Sequence, residues 1–304
     1  MKILVIFTGG TIGSTLTDGW ITPDSSTKYT LLENYKKEYG NDIEFKTCEP
    51  YSILSENLSA KALSALVEKV LLSQSEGFDG IIVTHGTDTL QFSAAALAYA
   101  TGNNCIPTVL VSSNYPLEDP RSNGNTNFKA AVDFIKDGKS KGVYIAYKNA
   151  EDVVLFHSAL SVLSHLEQDD RVFSLYGKTY AKQTEGGIEI LEKSSVCEKL
   201  PVKFSDDVDI LVVDAHPADS YKYELKNYSA VILRPYHSGT LGTALPAFIE
   251  FCKKAKELGT PVYVVNISSE TAYASAKTFE ELGIIPLNDI TFAAAYVKLW
   301  MKLS

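Results

Sequence analysis

Residues 2–13 have the sequence KILVIFTGGTIG, an apolar run that ends in a glycine-rich turn. The apolar segment, residues 3–7, is rich in β-branched side chains and short, which predicts a strand buried on both faces. A strand that passes directly into a glycine turn is typical of open α/β sheets, whose ligands bind at the carboxyl ends of the strands. The turn carries Thr8 and Thr11, so we expect hydroxyl groups at this edge of the sheet.

The alternation of apolar runs and amphipathic stretches continues through the first half of the chain. Further buried strands are predicted at residues 80–83, 108–111 and 143–147. Helices with one apolar face are predicted at residues 59–72, 88–101 and 125–135. This order of elements is that of βαβ units and a parallel sheet.

From residue 153 to residue 207 the pattern weakens into charged, glycine-containing segments, which predict a strand-and-loop extension or a connection between domains. Alternation then resumes with two final helices and with elements at residues 210–213, 230–233, 244–258 and 261–265. The fold class we predict is α/β, with a larger N-terminal parallel-sheet domain and a smaller C-terminal α/β domain. The predicted boundaries are 1–190 for the first domain, 191–207 for a linker and 208–304 for the second domain.

Composition limits the class of protein. The 304 residues are 45% hydrophobic and 21% charged, as in globular proteins, and the net charge of −9 gives no general reason to expect nucleic acid or an anionic membrane as partner. The four cysteines form no CxxC pair, so neither a zinc knuckle nor a disulfide framework is predicted. The first apolar run is too short for a secretory signal. We therefore predict a cytoplasmic protein that acts on a small uncharged or zwitterionic molecule.

A second glycine-threonine turn follows the strand at residues 80–83, where residues 83–90 read VTHGTDTL. Asp88, Thr87 or Thr89 can cap the helix that begins there, which is the ordinary structural interpretation. The alternative is chemical, because two such turns at neighbouring strand ends would bring hydroxyls and a carboxylate together. Neither turn has the GxGxxG or GxxxxGK[ST] spacing of a nucleotide site.

The turns at residues 8–12 and 85–89 together resemble the paired signatures of the bacterial-type asparaginase/glutaminase family. Residues 112–124, 231–234 and 283–299 carry supporting similarity, so that the resemblance covers nearly the whole chain. Within the family the sequence looks most like the cytoplasmic type I branch.

The resemblance implies a catalytic set of Thr11, Thr87 and Asp88. Thr11 would attack a side-chain amide and form an acyl-enzyme, Thr87 would position or activate water, and Asp88 would bind the substrate's α-amino group. Ser55 matches the serine that holds the α-carboxylate. The implied substrate-binding positions are Gly10, Ser55, Glu56, Thr87 and Asp88. This chemistry requires no metal or cofactor.

Two positions depart from the family's pattern. Trp20 stands where the family has a tyrosine, and Leu163 stands where it has a lysine beside the Thr-Asp pair. The indole of Trp20 can donate a hydrogen bond but cannot act as a base, and the side chain of Leu163 can neither transfer a proton nor carry a charge. Three explanations stay open: Lys148 or Lys178 reaches the site from another position, a different substrate supplies the proton path, or the protein binds without turnover. His165, two residues from Leu163, is a candidate replacement base.

The leading functional hypothesis is an amidohydrolase of asparagine metabolism that releases ammonia from L-asparagine or a related small amide. A catalytically degenerate homologue that binds an amino acid or amide without turnover is the alternative, and an amidase for a larger substrate is a third interpretation. The resemblance further implies a homodimer or homotetramer.

Overall fold

The computed structural model describes residues 1–23, 27–150, 152–166, 168–193, 197–270 and 273–304. The chain divides into two compact units, Met1–Val202 and Lys203–Ser304. The division falls within the predicted linker, residues 191–207. Both units are built from strands and helices, so the predicted α/β class is confirmed.

Strands and helices alternate from residue 27 to residue 148 in unit 1, and consecutive strands stand before and after that stretch. Its strands are β1 Lys2–Phe7, β2 Ser14–Thr17, β3 Trp20–Pro23, β4 Glu44–Cys48, β5 Gly80–Thr84, β6 Thr108–Val111, β7 Val143–Lys148, β8 Val154–Ser158, β9 Ala181–Thr184 and β10 Gly187–Ile190. Its helices are α1 Thr27–Tyr39, α2 Ala60–Ser73, α3 Leu90–Thr101 and α4 Gly124–Asp137. The predicted strands and helices of this half are present, with ends shifted by two residues at most.

The main sheet of unit 1 has the order β10-β9-β8-β7-β6-β5-β1-β4. Strands β4, β1, β5, β6 and β7 run parallel. Strand β1 lies between β4 and β5, so that the loops after these three strands leave the sheet side by side. Residues 3–7 of β1 are buried, as the apolar run predicts for a strand covered on both faces.

Strand β4 is one that the sequence pattern does not predict. Its sequence EFKTC is largely polar and half-exposed, and it forms the edge of the sheet by pairing with β1 from Lys2 opposite Glu44 to Ile6 opposite Cys48. An edge strand pairs with only one neighbour and has little buried surface. Strand β4 is therefore specified by its pairing with β1 and not by an apolar pattern of its own.

The weakly patterned region forms an antiparallel extension of the sheet. Strand β8 runs antiparallel to β7, β9 to β8 and β10 to β9. Aromatic packing holds this part to helix α4 and strand β7: the rings of Phe134 and Phe156 stack with centroids 4.6 Å apart, and those of Tyr144 and Tyr180 lie 4.4 Å apart. The Tyr180 hydroxyl lies 2.8 Å from the Ser140 hydroxyl, which satisfies both buried polar groups.

Unit 2 is a smaller parallel sheet with helices. Its elements are β11 Ile210–Asp214, β12 Ala230–Arg234, α5 Pro246–Leu258, β13 Val262–Ile267, α6 Thr278–Glu281, β14 Ile284–Asn288 and α7 Phe292–Leu303. The strand order is β11-β12-β13-β14. The sequence pattern does not predict β14, which contains Pro286. Proline has no N–H to donate and therefore occurs in sheets mainly on edge strands, and β14 is such a strand.

Two further features concern the whole of the described chain. None of the four cysteines, all within the described ranges, forms a disulfide. Across those same ranges, no helix combines the length and the apolar character needed to cross a membrane.

Candidate active site

The turn after β1 is built on close backbone contacts. Gly9 and Gly10 have backbone φ angles of 97° and 77°, a region that residues with a side chain rarely adopt. A Cβ on Gly9 would lie 2.3 Å from the Ile53 carbonyl oxygen, and one on Gly10 would lie 2.3 Å from the Gly86 nitrogen. The Gly10 N–H donates to Ile53 O at 3.0 Å. Glycine at these two positions therefore lets the loops after β1, β4 and β5 touch.

The structure separates the two threonines of this turn. Thr8 is buried, and its hydroxyl donates to the Thr84 carbonyl at 2.7 Å, which gives it a structural role between β1 and β5. Thr11 opens a 3₁₀ turn, Thr11–Gly13, and is only half-buried. The Gly10 carbonyl before it accepts from the Ser14 hydroxyl at 2.8 Å. The peptide preceding Thr11 is thus fixed while Thr11 itself stays partly accessible.

Trp20 lies at the start of β3, in the hairpin that follows Thr11. Asp18 and Gly19 form its two-residue turn, both with positive φ, which is the turn geometry that suits a twisted hairpin. The Trp20 side chain is 75% exposed. The position at which the resemblance predicts a tyrosine thus carries an outward-facing indole.

The second turn is held by His85, a residue to which sequence reasoning gives no role. Its Nδ1 lies 2.8 Å from the Gly86 carbonyl oxygen. A carbonyl only accepts, so Nδ1 carries the hydrogen, and Nε2 accepts from the Ser93 hydroxyl at 2.8 Å. Burial lowers the pKa of His85 and keeps the ring neutral near pH 7. The ring connects the turn to helix α3. The sequence does not show this link, because Ser93 lies on the helix, one turn beyond the motif at residues 85–89.

Ser55 and Asp88 meet beside this turn. The Ser55 hydroxyl donates to Asp88 Oδ2 at 3.3 Å, and the Thr89 hydroxyl donates to the Ser55 carbonyl at 2.8 Å. A Cβ on Gly86 would lie 2.4 Å from Ser55 Oγ, so this glycine makes room for the serine. No side chain caps helix α3 at Thr89, contrary to the capping interpretation. Thr89 and Asp88 instead connect the turn to the Ser55 segment.

The loops that carry the predicted positions therefore meet at one edge of the sheet. Gly10 contacts the Gly86-Thr87 turn, Thr11 follows Gly10, and Ser55 bonds Asp88. Thr87 is half-buried and Asp88 is exposed. Glu56 lies on the short turn Ser55–Asn57 with its side chain exposed. The arrangement offers hydroxyl groups and a carboxylate side by side, which suits nucleophilic attack on a small polar substrate.

The segment that carries Leu163 runs beside a second chain segment. The Leu163 N–H donates to Phe173 O at 3.0 Å, and Val162 forms an isolated bridge with Ser174. His165 follows two residues later. Burial lowers the pKa of its imidazole, and the charge of Asp88 opposes that effect. Of the two alternative lysines, Lys178 is exposed, with its Nζ 5.9 Å from the Tyr176 ring centroid.

Lys148, the other alternative, lines an open polar groove beyond the ends of β6 and β7. Arg121 stands in this groove, 4.0 Å from the Tyr115 ring centroid and paired with Asp119 through two nitrogens. That pairing lowers the pKa of Asp119 to about 2. The groove can accept polar groups of mixed charge. Within the described ranges, no group of three or more His, Cys, Asp or Glu side chains is placed to hold a metal ion.

Sequence comparison relates the chain to one family. The model of the family described as "Asparaginase, N-terminal" matches residues 2–184. An L-asparaginase of Thermococcus kodakarensis is 26% identical, with 100% of this chain and 93% of the relative covered. A glutamyl-tRNA(Gln) amidotransferase subunit of Sulfurisphaera tokodaii is also 26% identical, with 100% of this chain and 70% of the relative covered.

Solved structures share the fold. The thermostable L-asparaginase of Thermococcus kodakarensis superposes with a TM-score of 0.80 at 24% identity, covering 100% of this chain and 93% of that one. L-asparaginase I of Vibrio cholerae superposes with a TM-score of 0.79 at 21% identity, covering 99% of this chain and 92% of that one. At these identities the likeness concerns the fold.

Proposed function

The chain belongs to the asparaginase family, and on that premise we propose that it is an amidohydrolase that releases ammonia from the side-chain amide of L-asparagine or a related small amide. The contact between the two glycine turns carries this proposal. Gly10 approaches Gly86 so closely that no side chain fits between them. Because Thr11 directly follows Gly10, and Thr87 and Asp88 directly follow Gly86, this contact supports a site in which the two turns act together. A nucleophile and the groups that serve it must be held in one geometry for the reaction to be fast.

In the proposed first step, the Thr11 hydroxyl attacks the amide carbon of the substrate. A bond forms between Thr11 Oγ and that carbon, and the hydroxyl proton is transferred to the leaving nitrogen. The carbon–nitrogen bond then breaks, ammonia leaves, and an ester joins Thr11 to the acyl group. Splitting amide hydrolysis into two steps in this way lowers the barrier of each.

In the second step, a water molecule positioned by Thr87 hydrolyses the ester. Its oxygen bonds to the acyl carbon, the ester bond breaks, and Thr11 recovers its proton. Asp88 binds the α-amino group of the substrate, and Ser55 binds the α-carboxylate. The hydrogen bond between the Ser55 hydroxyl and Asp88 Oδ2 supports this assignment, because it places both binding groups within one substrate length.

Ammonia release from a panel of amides tests the proposal directly. We expect the wild type to release ammonia from L-asparagine, and Thr11→Ala to lose this activity while a calorimetric titration still detects substrate binding. Thr8→Ser is a matched control, because it keeps the hydroxyl that donates to Thr84 O. Turnover that persists in Thr11→Ala would exclude a threonine acyl-enzyme at this position.

The same experiment separates the degenerate binder from the enzyme. The expected departures favour a protein without turnover: the resemblance assigns Leu163 to a lysine position and Trp20, which is exposed, to a tyrosine position. Loss of a positioned acid or base typically costs about 10²- to 10⁴-fold in rate. Binding with no ammonia from any amide in the panel is the result expected of a binder.

The panel includes glutamine and larger amides. Relatives that carry the name of a glutamyl-tRNA(Gln) amidotransferase make glutamine a necessary comparison. The polar groove of Lys148 and Arg121 is the observation that favours a larger substrate. A cytoplasmic location and assembly as a homodimer or homotetramer complete the proposal, and one structural relative carries the description of a probable cytoplasmic L-asparaginase.

A further inference from the structure

Gln91 lies in the first turn of helix α3, three residues after Asp88, and only 4% of it is exposed. Its Nε2 donates to the backbone carbonyl of Asp88 at 3.1 Å. The reverse assignment of the amide would set Oε1 against a carbonyl oxygen, and two acceptors form no hydrogen bond, so the amide has one orientation. A buried side chain of the helix therefore binds the backbone of Asp88.

The backbone ladder of helix α3 begins one residue beyond Asp88. The N–H groups of Phe92 and Ser93 donate to Thr89 O at 3.1 and 3.2 Å. The φ and ψ of Thr89 are −120° and 17°, outside the helical region. The Gln91 side chain thus serves Asp88 O as the ladder serves the carbonyl oxygens further along the helix.

This hydrogen bond restricts the position of Asp88 itself. The carbonyl lies in the same rigid peptide plane as the Asp88 Cα, so holding the oxygen limits where the carboxylate can point. The carboxylate in turn accepts from the Ser55 hydroxyl at 3.3 Å. Asp88 is therefore held at two places, by Gln91 at its backbone and by Ser55 at its side chain.

The other half of the Gln91 amide carries a cost. Gln91 Oε1 is shielded from solvent and has no hydrogen-bond partner among the described residues. A buried acceptor left unpaired destabilises a fold, whereas an apolar side chain of the same length carries no such penalty. The fold alone gives little reason for an amide at this position, and its use lies in the donor that binds Asp88.

We propose that Gln91 is a positioning residue that sets Asp88 to bind the α-amino group of the substrate, and that it thereby favours ligands that carry this group. The inference rests on the proposed function, which assigns that binding to Asp88. Gln91 transfers no proton and acts through the Asp88 backbone. Its loss should therefore weaken binding and leave the chemical step at Thr11 nearly unchanged, because Thr11 lies on a different loop.

The kinetic test compares L-asparagine with succinamic acid, which is asparagine without its α-amino group. Gln91→Met keeps the length of the side chain and removes the donor, and Gln91→Glu keeps the shape and replaces the donor by an acceptor. In both variants we expect KM for asparagine to rise about tenfold with kcat changed little. The kcat/KM for succinamic acid should stay within about twofold of the wild type, because this molecule offers Asp88 no ammonium group.

Gln74→Met is the matched control. Gln74 Nε2 also donates to a backbone carbonyl, that of Val70 at 3.2 Å, but it does so at the end of helix α2. This variant loses the same kind of hydrogen bond and should keep the wild-type preference for asparagine over succinamic acid. Urea denaturation establishes that each variant is folded under the conditions of the assay.

A calorimetric titration with L-aspartate and succinate, the products of the two reactions, does not depend on turnover. We expect the Gln91 variants to bind aspartate about tenfold more weakly than the wild type does, and to bind succinate equally well. Equal weakening for aspartate and succinate would mean that Gln91 only supports the fold. No weakening for either would mean that its hydrogen bond does not position Asp88. Both results overturn the inference.

The outcomes separate this inference from the proposed function. Ammonia release that requires Thr11 and is as selective in Gln91→Met as in the wild type overturns the inference and leaves the function standing. A wild type that releases no ammonia, but prefers aspartate to succinate in a way that the Gln91 variants lose, overturns the function and supports the positioning of Asp88. A wild type that neither releases ammonia nor prefers aspartate to succinate overturns both.

Discussion

At the scale of single residues, the closest contact in the candidate site is between two backbones. Gly10→Ala would place a Cβ 2.3 Å from the Gly86 nitrogen at a φ of 77°. We expect this substitution to lower the free energy of unfolding by about 3 kcal/mol, since strain and overpacking add. Ammonia release should fall about 10²-fold or more, because the turns must move apart. Urea denaturation and the ammonia assay measure the two effects.

Gly13→Ala is the control in the same turn. An added Cβ there meets no atom within 4 Å, and the φ of Gly13 is not in the positive region. Its free energy of unfolding should stay within about 0.5 kcal/mol of the wild type. Equal urea denaturation midpoints for Gly10→Ala and Gly13→Ala would show that the contact between Gly10 and Gly86 tolerates a side chain.

His157 makes stability depend on pH. It is buried in β8, with Nδ1 2.7 Å from the Ser174 hydroxyl, and burial lowers its pKa to about 4. Between the ordinary pKa of about 6.5 and this value, the unfolded chain binds a proton that the folded chain does not. The stabilisation is therefore complete above pH 6.5 and is lost as the pH falls, by about 3 kcal/mol in all.

Denaturation of wild type and His157→Gln between pH 4.5 and 7.5 checks this dependence. The variant carries no titrating group at the site, so its stability should decline less on acidification. His237→Gln should decline as the wild type does, because that side chain is exposed. Parallel curves for His157→Gln and wild type would mean that the burial of this ring does not govern its protonation.

At the scale of elements, one side chain fastens the segment that pairs with the one carrying Leu163 and His165. Asn149 Nδ2 donates to Val172 O at 3.1 Å, and its Oδ1 accepts from Val172 N at 2.9 Å. Asn149→Ala leaves both buried groups unpaired, and we expect a loss of about 3 kcal/mol in the free energy of unfolding. Hydrogen exchange should rise across residues 161–175, whereas the exposed-site variant Asn104→Ala should leave it unchanged. If hydrogen exchange across these residues is as slow in Asn149→Ala as in Asn104→Ala, Asn149 does not have this role.

The elements also differ in how far sequence predicts them. Helix α2 has apolar residues spaced for one buried face, and β5 is an unbroken apolar run, so both follow from local pattern. Strand β4 is polar and β14 contains Pro286. Each forms by backbone hydrogen bonding to the unpaired edge of its neighbour, β1 for β4 and β13 for β14. Non-local pairing of this kind leaves no periodic trace in the segment itself.

At the scale of the whole molecule, the candidate site is open in a single chain. Asp88 is exposed and Thr11 only half-buried, although a site that excludes water strengthens every electrostatic interaction in it. We therefore expect the protein to assemble, as the family resemblance also predicts. Light scattering should give twice or four times the chain mass of 33.3 kDa.

Dilution provides the functional counterpart of that mass measurement. The rate of ammonia release per chain should fall as the protein is diluted below the dissociation constant of the assembly. A monomer with full activity at every concentration would contradict a site completed by a neighbouring protomer.

The sequence by itself determined the α/β class, the order of the central elements and the meeting of the two glycine-threonine turns. The physical reason is that parallel strands send their carboxyl ends to one edge, and β1 and β5 are neighbours there. Only the tertiary structure decided that Thr8 is structural while Thr11 is partly accessible, that His85 secures its turn through Ser93, and that Ser55 bonds Asp88. Those outcomes depend on contacts between residues distant in sequence or on different elements, which local pattern does not encode.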